Sequence, residues 1–257
     1  MNYWVKESIK IANGPGYLDR LQAVYPVTIA PRRSLTAEKR KILKEAFNFK
    51  DDNRLIMELV KLKKFPIKDP YVAFLRKNQK FIDYNPRTIK RICEHIRLIG
   101  FEKMLEGIEE AIEFNRTIGP LFRKWLAKLK YPILEAGQFE RYEKGIAILN
   151  GSPDELKRFA NEILRANLEK RPDIVAKNNG RHVIGEAKFL TDFGGHQNTQ
   201  LMDALDLLRS RSGKVKRVAI LDGVVWIKVK NKMHQAVIEA NEDVFSALLL
   251  LEYLGNL

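Results

Sequence analysis

Two acidic residues and a lysine flank a tight turn and form the most informative pattern in the sequence. Asp173 begins one apolar run, Glu186 and Lys188 belong to the next, and Asn179-Gly180 separates the two runs. Asn-Gly between apolar runs indicates a two-residue β-hairpin turn. Counting outward from this turn places Asp173 opposite Glu186, with Cβ atoms roughly 4.5–5.5 Å apart. Lys188 points to the same face because it is two residues beyond Glu186.

These residue types at one point of a sheet suit phosphodiester hydrolysis. Two adjacent carboxylates repel each other unless a cation lies between them, and oxygen ligands in an incomplete cage favour Mg²⁺. Such an ion would activate a water and offset phosphate charge, while Lys188 could orient or deprotonate that water. The carbonyl of Ala187 could also reach the ion. The alternative is a surface hairpin with a Glu and Lys pair, because an acid-x-Lys sequence is common in strands.

The composition is that of a globular protein with a polyanionic partner. The 257 residues include 46 Lys and Arg against 32 Asp and Glu, a net charge of +14, with 45% hydrophobic residues. This excess favours nucleic acid over an anionic membrane surface, although it could also serve solubility alone. A single cysteine, Cys93, excludes a disulfide framework and a Cys-rich metal site. No apolar window approaches the roughly 20 residues of a membrane span, so we expect a cytoplasmic protein.

The first half of the chain has the periodicity of amphipathic helices. Thr36 predicts one helix start, Asp51 or Asp52 a second, and Asn85-Pro86 a third, with proline at the first helical position. Behind the third start, apolar residues recur at i, i+3, i+4 and i+7, which predicts a buried stripe of Ile89, Ile92, Cys93 and Ile96. Two further helices are expected at 102–114 and 121–129.

The second half predicts a mixed β-sheet flanked by helices, and the whole chain therefore an α/β (α+β) fold with a helical N-terminal part. Ser152 predicts a helix from 154 to about 169, and Gly194-Gly195 precedes another with Leu201, Ala204, Leu205 and Leu208 on one face. Strands are expected at 173–177, 182–189, 217–221 and 224–229, the last two joined by a turn at Asp222-Gly223, with Trp226 in the core. An apolar helix is expected at 242–254.

The motif resembles that of a known superfamily. Pro172-Asp173, a spacer of 12 residues and Glu186-Ala187-Lys188 resemble the PD-(D/E)xK nucleases. The segments FLTDFGGHQ at 189–197 and AILDGVVW at 219–226 are similar to type II restriction endonucleases in particular. The resemblance implies a restriction-endonuclease-like core with four to five strands and Mg²⁺-dependent cleavage of duplex DNA. It also implies that Asp173 and Glu186 are metal ligands and Lys188 is the catalytic lysine.

Several residues near the motif have alternative interpretations. The resemblance implies a further acid on the preceding helix, for which Glu155, Glu162 and Glu169 all remain candidates. Gln197 starts a helix, where backbone N–H groups favour a phosphate. Gln197 or Gln200 could contact the scissile phosphate or the water, and the alternative is a plain exposed helix start. His196 could contact phosphate, whereas Asp192 is expected to cap locally and His182 to lie in the sheet.

DNA contacts should come from the remaining basic residues. Most of these should contact phosphates or face solvent, because base reading needs only a few side chains in a groove. The candidates are Arg32-Arg33, Lys39-Arg40-Lys41, Arg87, Lys90-Arg91 and the 209–217 loop.

The sequence and the resemblance together predict a type II restriction endonuclease that acts on double-stranded DNA as a homodimer. Two active sites related by a two-fold axis suit a palindromic target. Residues 1–132 are assigned to DNA recognition and dimerisation, and 133–257 to the catalytic core. A cognate DNA methyltransferase is expected in the same system, without stable contact. The alternatives are a structure-selective or repair nuclease with the same core and a non-catalytic DNA-binding protein. The intact Asp173, Glu186 and Lys188 argue against the last.

Overall fold

The chain forms two compact units, which we call the sheet unit and the helical unit. The computed structural model describes residues 1–26, 34–110, 117–209 and 215–257. The sheet unit combines Met1–Thr28 with Phe114–Leu257, and the helical unit is Ile29–Glu113. The sheet unit therefore takes its first helices from the N-terminus.

A mixed sheet organises the sheet unit, as the sequence predicts. Within the described residues it has six strands, arranged in chain order. Their bounds are β1 Ile133–Leu134, β2 Ile146–Leu149, β3 Ile174–Asn178, β4 Arg181–Leu190, β5 Lys216–Gly223 and β6 Asp243–Phe245. β1 and β2 are parallel, β2, β3 and β4 pair antiparallel, and β4, β5 and β6 are parallel.

Helices account for most of the remaining described structure. In chain order they are α1 Tyr3–Ala12, α2 Tyr17–Val24, α3 Ala37–Asn48, α4 Asp52–Val60, α5 Val72–Lys77, α6 Lys80–Tyr84, α7 Pro86–Ile99, α8 Phe101–Glu109, α9 Ile118–Leu126, α10 Ala136–Arg141, α11 Pro153–Glu162, α12 Gly195–Arg209, α13 Lys232–Ile238 and α14 Leu250–Gly255. None of the helices in the described ranges is both long and apolar enough to cross a bilayer.

The β3–β4 hairpin has the register that the sequence predicts. Asn179 and Gly180 have φ angles of 47° and 78°, the left-handed conformation that a tight turn of this kind requires. His182 pairs with Lys177, as expected. The pairing continues one residue beyond β3, where the N–H of Asp173 donates to the carbonyl of Gly185 at 2.9 Å.

Helices α9 and α12 both contact β4 and so surround the strand that carries the motif. The predicted apolar face of α12 is buried, and it consists of Leu201, Ala204, Leu205 and Leu208. From α9, Ile118, Phe122 and Leu126 are buried in the same core. The position of β4 is therefore fixed by apolar packing against α12, which follows it in the chain, and against α9, which is distant in sequence.

The helical unit confirms the predicted helix starts and the buried stripe. Thr36 caps α3 and Asp51 caps α4, each through a side-chain oxygen that accepts from a backbone N–H. α7 begins at Pro86, but the side-chain amide of Asn85 donates to the carbonyl of Phe81 instead of capping. The stripe of Ile89, Ile92, Cys93 and Ile96 is fully enclosed, so Cys93 is a core residue.

Several predicted boundaries are wrong. α11 ends at Glu162, and Arg165 and Asn167 adopt positive φ angles of 54° and 53° that no helix continues through. α8 ends at Glu109, while residues 111–114 of that predicted helix lie outside the described residues. The predicted helix 121–129 is α9, shifted towards the N-terminus.

The largest errors concern the apolar runs after β5. Val224–Trp226 is a 3-10 helix and not a strand, although Trp226 is buried in the core as expected. Asp222 and Gly223 end β5 instead of forming a turn between two strands. The predicted helix 242–254 is β6, a 3-10 turn at Ala247–Leu249 and α14. Short apolar runs do not distinguish a buried strand from a buried helix.

Candidate active site

The hairpin brings the predicted acids and lysine into one electrostatic cluster. Lys188 Nζ lies 2.6 Å from Glu186 Oε1. Asp173 Oδ2 accepts the backbone N–H of Ala187 at 3.0 Å, and its Oδ1 accepts from Arg123 Nη1 at 3.1 Å. The carboxylate of Asp173 is therefore fixed from two sides, by β4 and by α9.

Both carboxylates are largely withdrawn from solvent. The side chain of Glu186 is 8% exposed and that of Asp173 is 16% exposed. Burial raises the pKa of Asp173, against the hydrogen bond from Ala187 and the attraction of Lys188 and Arg123. Burial also raises the pKa of Glu186, and repulsion from Asp173 raises this pKa further, while Lys188 opposes both effects. The two acids thus interact with each other and share a cation.

A cavity of about 310 Å³ adjoins Glu186, and only one of the three candidate acids of the preceding segment is among its lining residues. Glu169 lines this cavity. Glu155 instead closes a capping box with Ser152, and Glu162 is exposed on α11. Of the three, Glu169 is the one that lines a cavity together with Glu186.

Two acids of α12 line the same cavity and were not anticipated from the sequence. Asp203 and Asp206 are three residues apart, so they share a side of the helix. Lys170 also lines the cavity, and its Nζ lies 2.6 Å from Asp203 Oδ1. The i, i+3 spacing of these acids could have suggested a shared face, but not that this face would meet β4.

Arg123 is the other residue that the sequence analysis missed. It lies on α9, 50 positions before the aspartate that it contacts. Gly119, one helical turn earlier, leaves room for this contact, since a Cβ there would lie 2.9 Å from Asp173 Oδ1. No local pattern in the sequence relates these residues to the hairpin.

Gln197 is buried at the start of α12, where its amide is already engaged. Its Oε1 accepts the N–H of Thr191 at 3.3 Å and its Nε2 donates to Thr191 Oγ1 at 3.2 Å. Gln197 therefore ties the end of β4 to α12. Asp192 accepts the N–H of Gly194 and so caps locally, as expected, while His196 contacts Gln200.

The basic residues proposed for DNA contact are in different environments. Lys39-Arg40-Lys41, Arg87 and Lys90-Arg91 are exposed on the helical unit. Arg217 is buried, and it donates to the carbonyls of Ala166 and Leu207, so its guanidinium serves the fold. Arg32-Arg33 and residues 210–214 of the loop lie outside the described residues.

The donor atoms of the cluster fit a hard divalent cation. Carboxylate and carbonyl oxygens are the ligands that Mg²⁺ prefers, and this ion usually keeps several waters. Among the described residues no group of three or more His, Cys, Asp or Glu side chains is placed to hold a metal. A site with two carboxylates and a backbone carbonyl would leave positions for water and phosphate oxygens.

The fold is that of a mixed α/β protein, and its β3–β4 hairpin carries the cluster of Asp173, Glu186 and Lys188. A family model described as Tsp45I type II restriction enzyme matches residues 2–257. The chain belongs to this family, which makes it a type II restriction endonuclease, a site-specific nuclease that binds DNA. No curated protein matches the chain, and no solved structure does.

Proposed function

We propose that the protein hydrolyses phosphodiester bonds of double-stranded DNA at a specific sequence with Mg²⁺, as a PD-(D/E)xK nuclease. The observation that carries this proposal is the ion pair of Lys188 with Glu186 beside the fixed carboxylate of Asp173. Family membership supports the reaction class, and the net charge of +14 supports a polyanionic substrate.

Each residue of the cluster has a distinct role in this proposal. Asp173 and Glu186 hold Mg²⁺ together with the carbonyl of Ala187. When bound, Mg²⁺ supplies Lewis acidity that activates water and offsets phosphate charge. Lys188, held beside Glu186, orients or deprotonates the attacking water and offsets phosphate charge. Gln197 keeps the β4–α12 connection in place, and its contact with the scissile phosphate stays a prediction.

The proposal extends to assembly and cellular context. The protein acts as a homodimer, because cleaving both strands of a palindromic site needs two active sites related by the dyad of the DNA. Residues 1–132 serve recognition and dimerisation, apart from Arg123, which contacts Asp173, and residues 133–257 serve catalysis. A cognate methyltransferase protects the host DNA without stable contact, and both act in the cytoplasm.

Incubation with a mixed-sequence plasmid tests the proposed function. We expect discrete fragments with Mg²⁺ or Mn²⁺, none with a chelator, and weak or no cutting with Ca²⁺, which prefers longer bonds and higher coordination. A smear would indicate a nonspecific nuclease, and preference for branched over linear duplex DNA would favour a structure-selective one. Full cleavage in the chelator would contradict the metal site.

A further inference from the structure

Arg123 occupies the side of Asp173 that faces away from β4. The Nη1 to Oδ1 distance is 3.1 Å, whereas Oδ2 is taken by the N–H of Ala187. Both oxygens of this carboxylate are thus engaged by donors of the protein itself. The pair is partly sheltered, with 30% of the Arg123 side chain and 16% of the Asp173 side chain exposed, so the arginine has a route to solvent.

We propose that Arg123 is a positioning residue that holds Asp173 by its Oδ1 atom until a divalent cation replaces it. This inference rests on the proposed metal site. A guanidinium and a metal ion compete for the same oxygen, because both are cations that need its lone pairs. Arg123 therefore keeps the buried carboxylate paired in the metal-free protein, and it lowers the affinity for the metal.

The backbone of α9 is adapted to this contact. At Gly119 a Cβ would come within 2.9 Å of Asp173 Oδ1 and 3.4 Å of Arg123 Nη1. Glycine at this position lets the helix approach the carboxylate closely enough for the arginine, one turn further along, to reach it. The space beside Oδ1 is consequently available to the guanidinium.

Calorimetric titration of the DNA-free protein with Ca²⁺ tests the inference, since it measures binding of a divalent cation to the protein independently of DNA cleavage. We expect Arg123→Gln and Arg123→Ala to bind Ca²⁺ roughly threefold or more tightly than the unmodified protein, because a competing positive charge is gone. Arg123→Lys, which keeps the charge, should bind much as the unmodified protein does. Lys124→Gln is the matched control, since it removes the same charge from an exposed position on the same helix.

The outcomes separate this inference from the proposed function. Unchanged or weaker Ca²⁺ binding by both neutral variants, with circular dichroism showing them folded, would overturn the competition. An equal gain in Lys124→Gln would also overturn it, by showing a general effect of net charge. If the unmodified protein binds no Ca²⁺ and cuts DNA without metal, the metal site itself fails and the inference fails with it.

Discussion

The two units differ in what they bury. In the described part of the helical unit the residues buried as a whole are apolar, Cys93 included, and the sheltered carboxylate of Asp69, 5% exposed, is paired with Arg91. The sheet unit also buries polar and charged residues, among them Lys177, Glu186, Arg217 and Asp222. Because a buried charge is costly unless it is paired, the sheet unit retains such groups for reasons other than packing. This difference supports placing the proposed chemistry in the sheet unit.

The buried carboxylates of the sheet unit are themselves of two kinds. Asp222 accepts from the hydroxyls of Tyr17, Tyr25 and Ser246 and from the N–H of Ala247. These neutral donors tie segments from both ends of the sequence to β5. Asp173 and Glu186 instead rely on the cationic side chains of Arg123 and Lys188. Neutral donors suit a permanent structural role, whereas the cationic partner Arg123 is the group that the proposed metal ion would replace at Asp173.

The largest expected effect is the loss of cleavage when Asp173, Glu186 or Lys188 is replaced. Three single variants are compared: Asp173→Asn, Glu186→Gln and Lys188→Ala. Each should reduce single-turnover cleavage at least about a thousandfold while DNA binding persists. The two variants that replace an acid should be as stable as the unmodified protein, because burial already raises the pKa of both carboxyls and penalises their charged forms. Glu38→Gln, at an exposed position on α3, is the control. Near-normal cutting by a folded variant would remove that residue from the mechanism.

In the helical unit the expected effect is on stability. Leu55→Ala removes a fully buried side chain and should destabilise this unit by about 2–5 kcal/mol, through lost burial and the cavity left behind. Urea denaturation followed by circular dichroism measures this loss. Leu98→Ala is the control, since Leu98 is 86% exposed. Equal losses in the two variants would contradict the assignment of the core.

Asp222 should make stability depend on pH. Burial raises its pKa to about 7, so between pH 4 and pH 7 the folded protein holds a proton that the unfolded chain has lost. This group therefore stabilises the fold at low pH, and the contribution falls by up to about 1.4 kcal/mol per pH unit as the pH rises to 7. Asp222→Asn should abolish this decline relative to the unmodified protein.

Denaturation curves at several pH values give the comparison for Asp222. Asp19→Asn, at an exposed position on α2, controls for the loss of one carboxyl. Parallel pH profiles of the unmodified protein and Asp222→Asn would contradict the structural role given to this carboxyl.

The smallest effect should come from Gly119→Ala, which separates activity from stability. The added methyl would meet Asp173 Oδ1, so the carboxylate must shift, and cleavage should fall about tenfold because the position of a reacting group matters at this scale. The thermal midpoint should hold or rise, since alanine favours a helix more than glycine does. If Gly119→Ala lowers the thermal midpoint but leaves the cleavage rate unchanged, the role given to Gly119 beside Asp173 is wrong.

The local parts of the fold could be predicted from the sequence. The Asn179-Gly180 turn determines the hairpin register, and thereby the position of Asp173 opposite Glu186, because a two-residue turn leaves one pairing. Thr36 and Asp51 reveal helix starts through their own side-chain chemistry. Such features depend on residues only a few positions apart.

The parts that could not be predicted depend on tertiary contacts. Arg123 and Asp203 approach the hairpin from α9 and α12, and no local pattern records where those helices pack. Asp222 resembled a turn residue because its neighbour is glycine. Its structural role could not be predicted, because its four donors come from distant segments. The apolar run 224–229 has the composition of a strand, but Val224–Trp226 fills the core as a 3-10 helix.

The central claim is that Asp173 and Glu186 together bind a divalent cation, and Mn²⁺ binding measured by electron paramagnetic resonance tests it most directly. The protein is titrated with Mn²⁺ beside the double variant Asp173→Asn with Glu186→Gln, and free Mn²⁺ is read from its signal. The account predicts that the double variant, still folded, binds Mn²⁺ at least about tenfold more weakly. Equal Mn²⁺ affinity in the two proteins would contradict it.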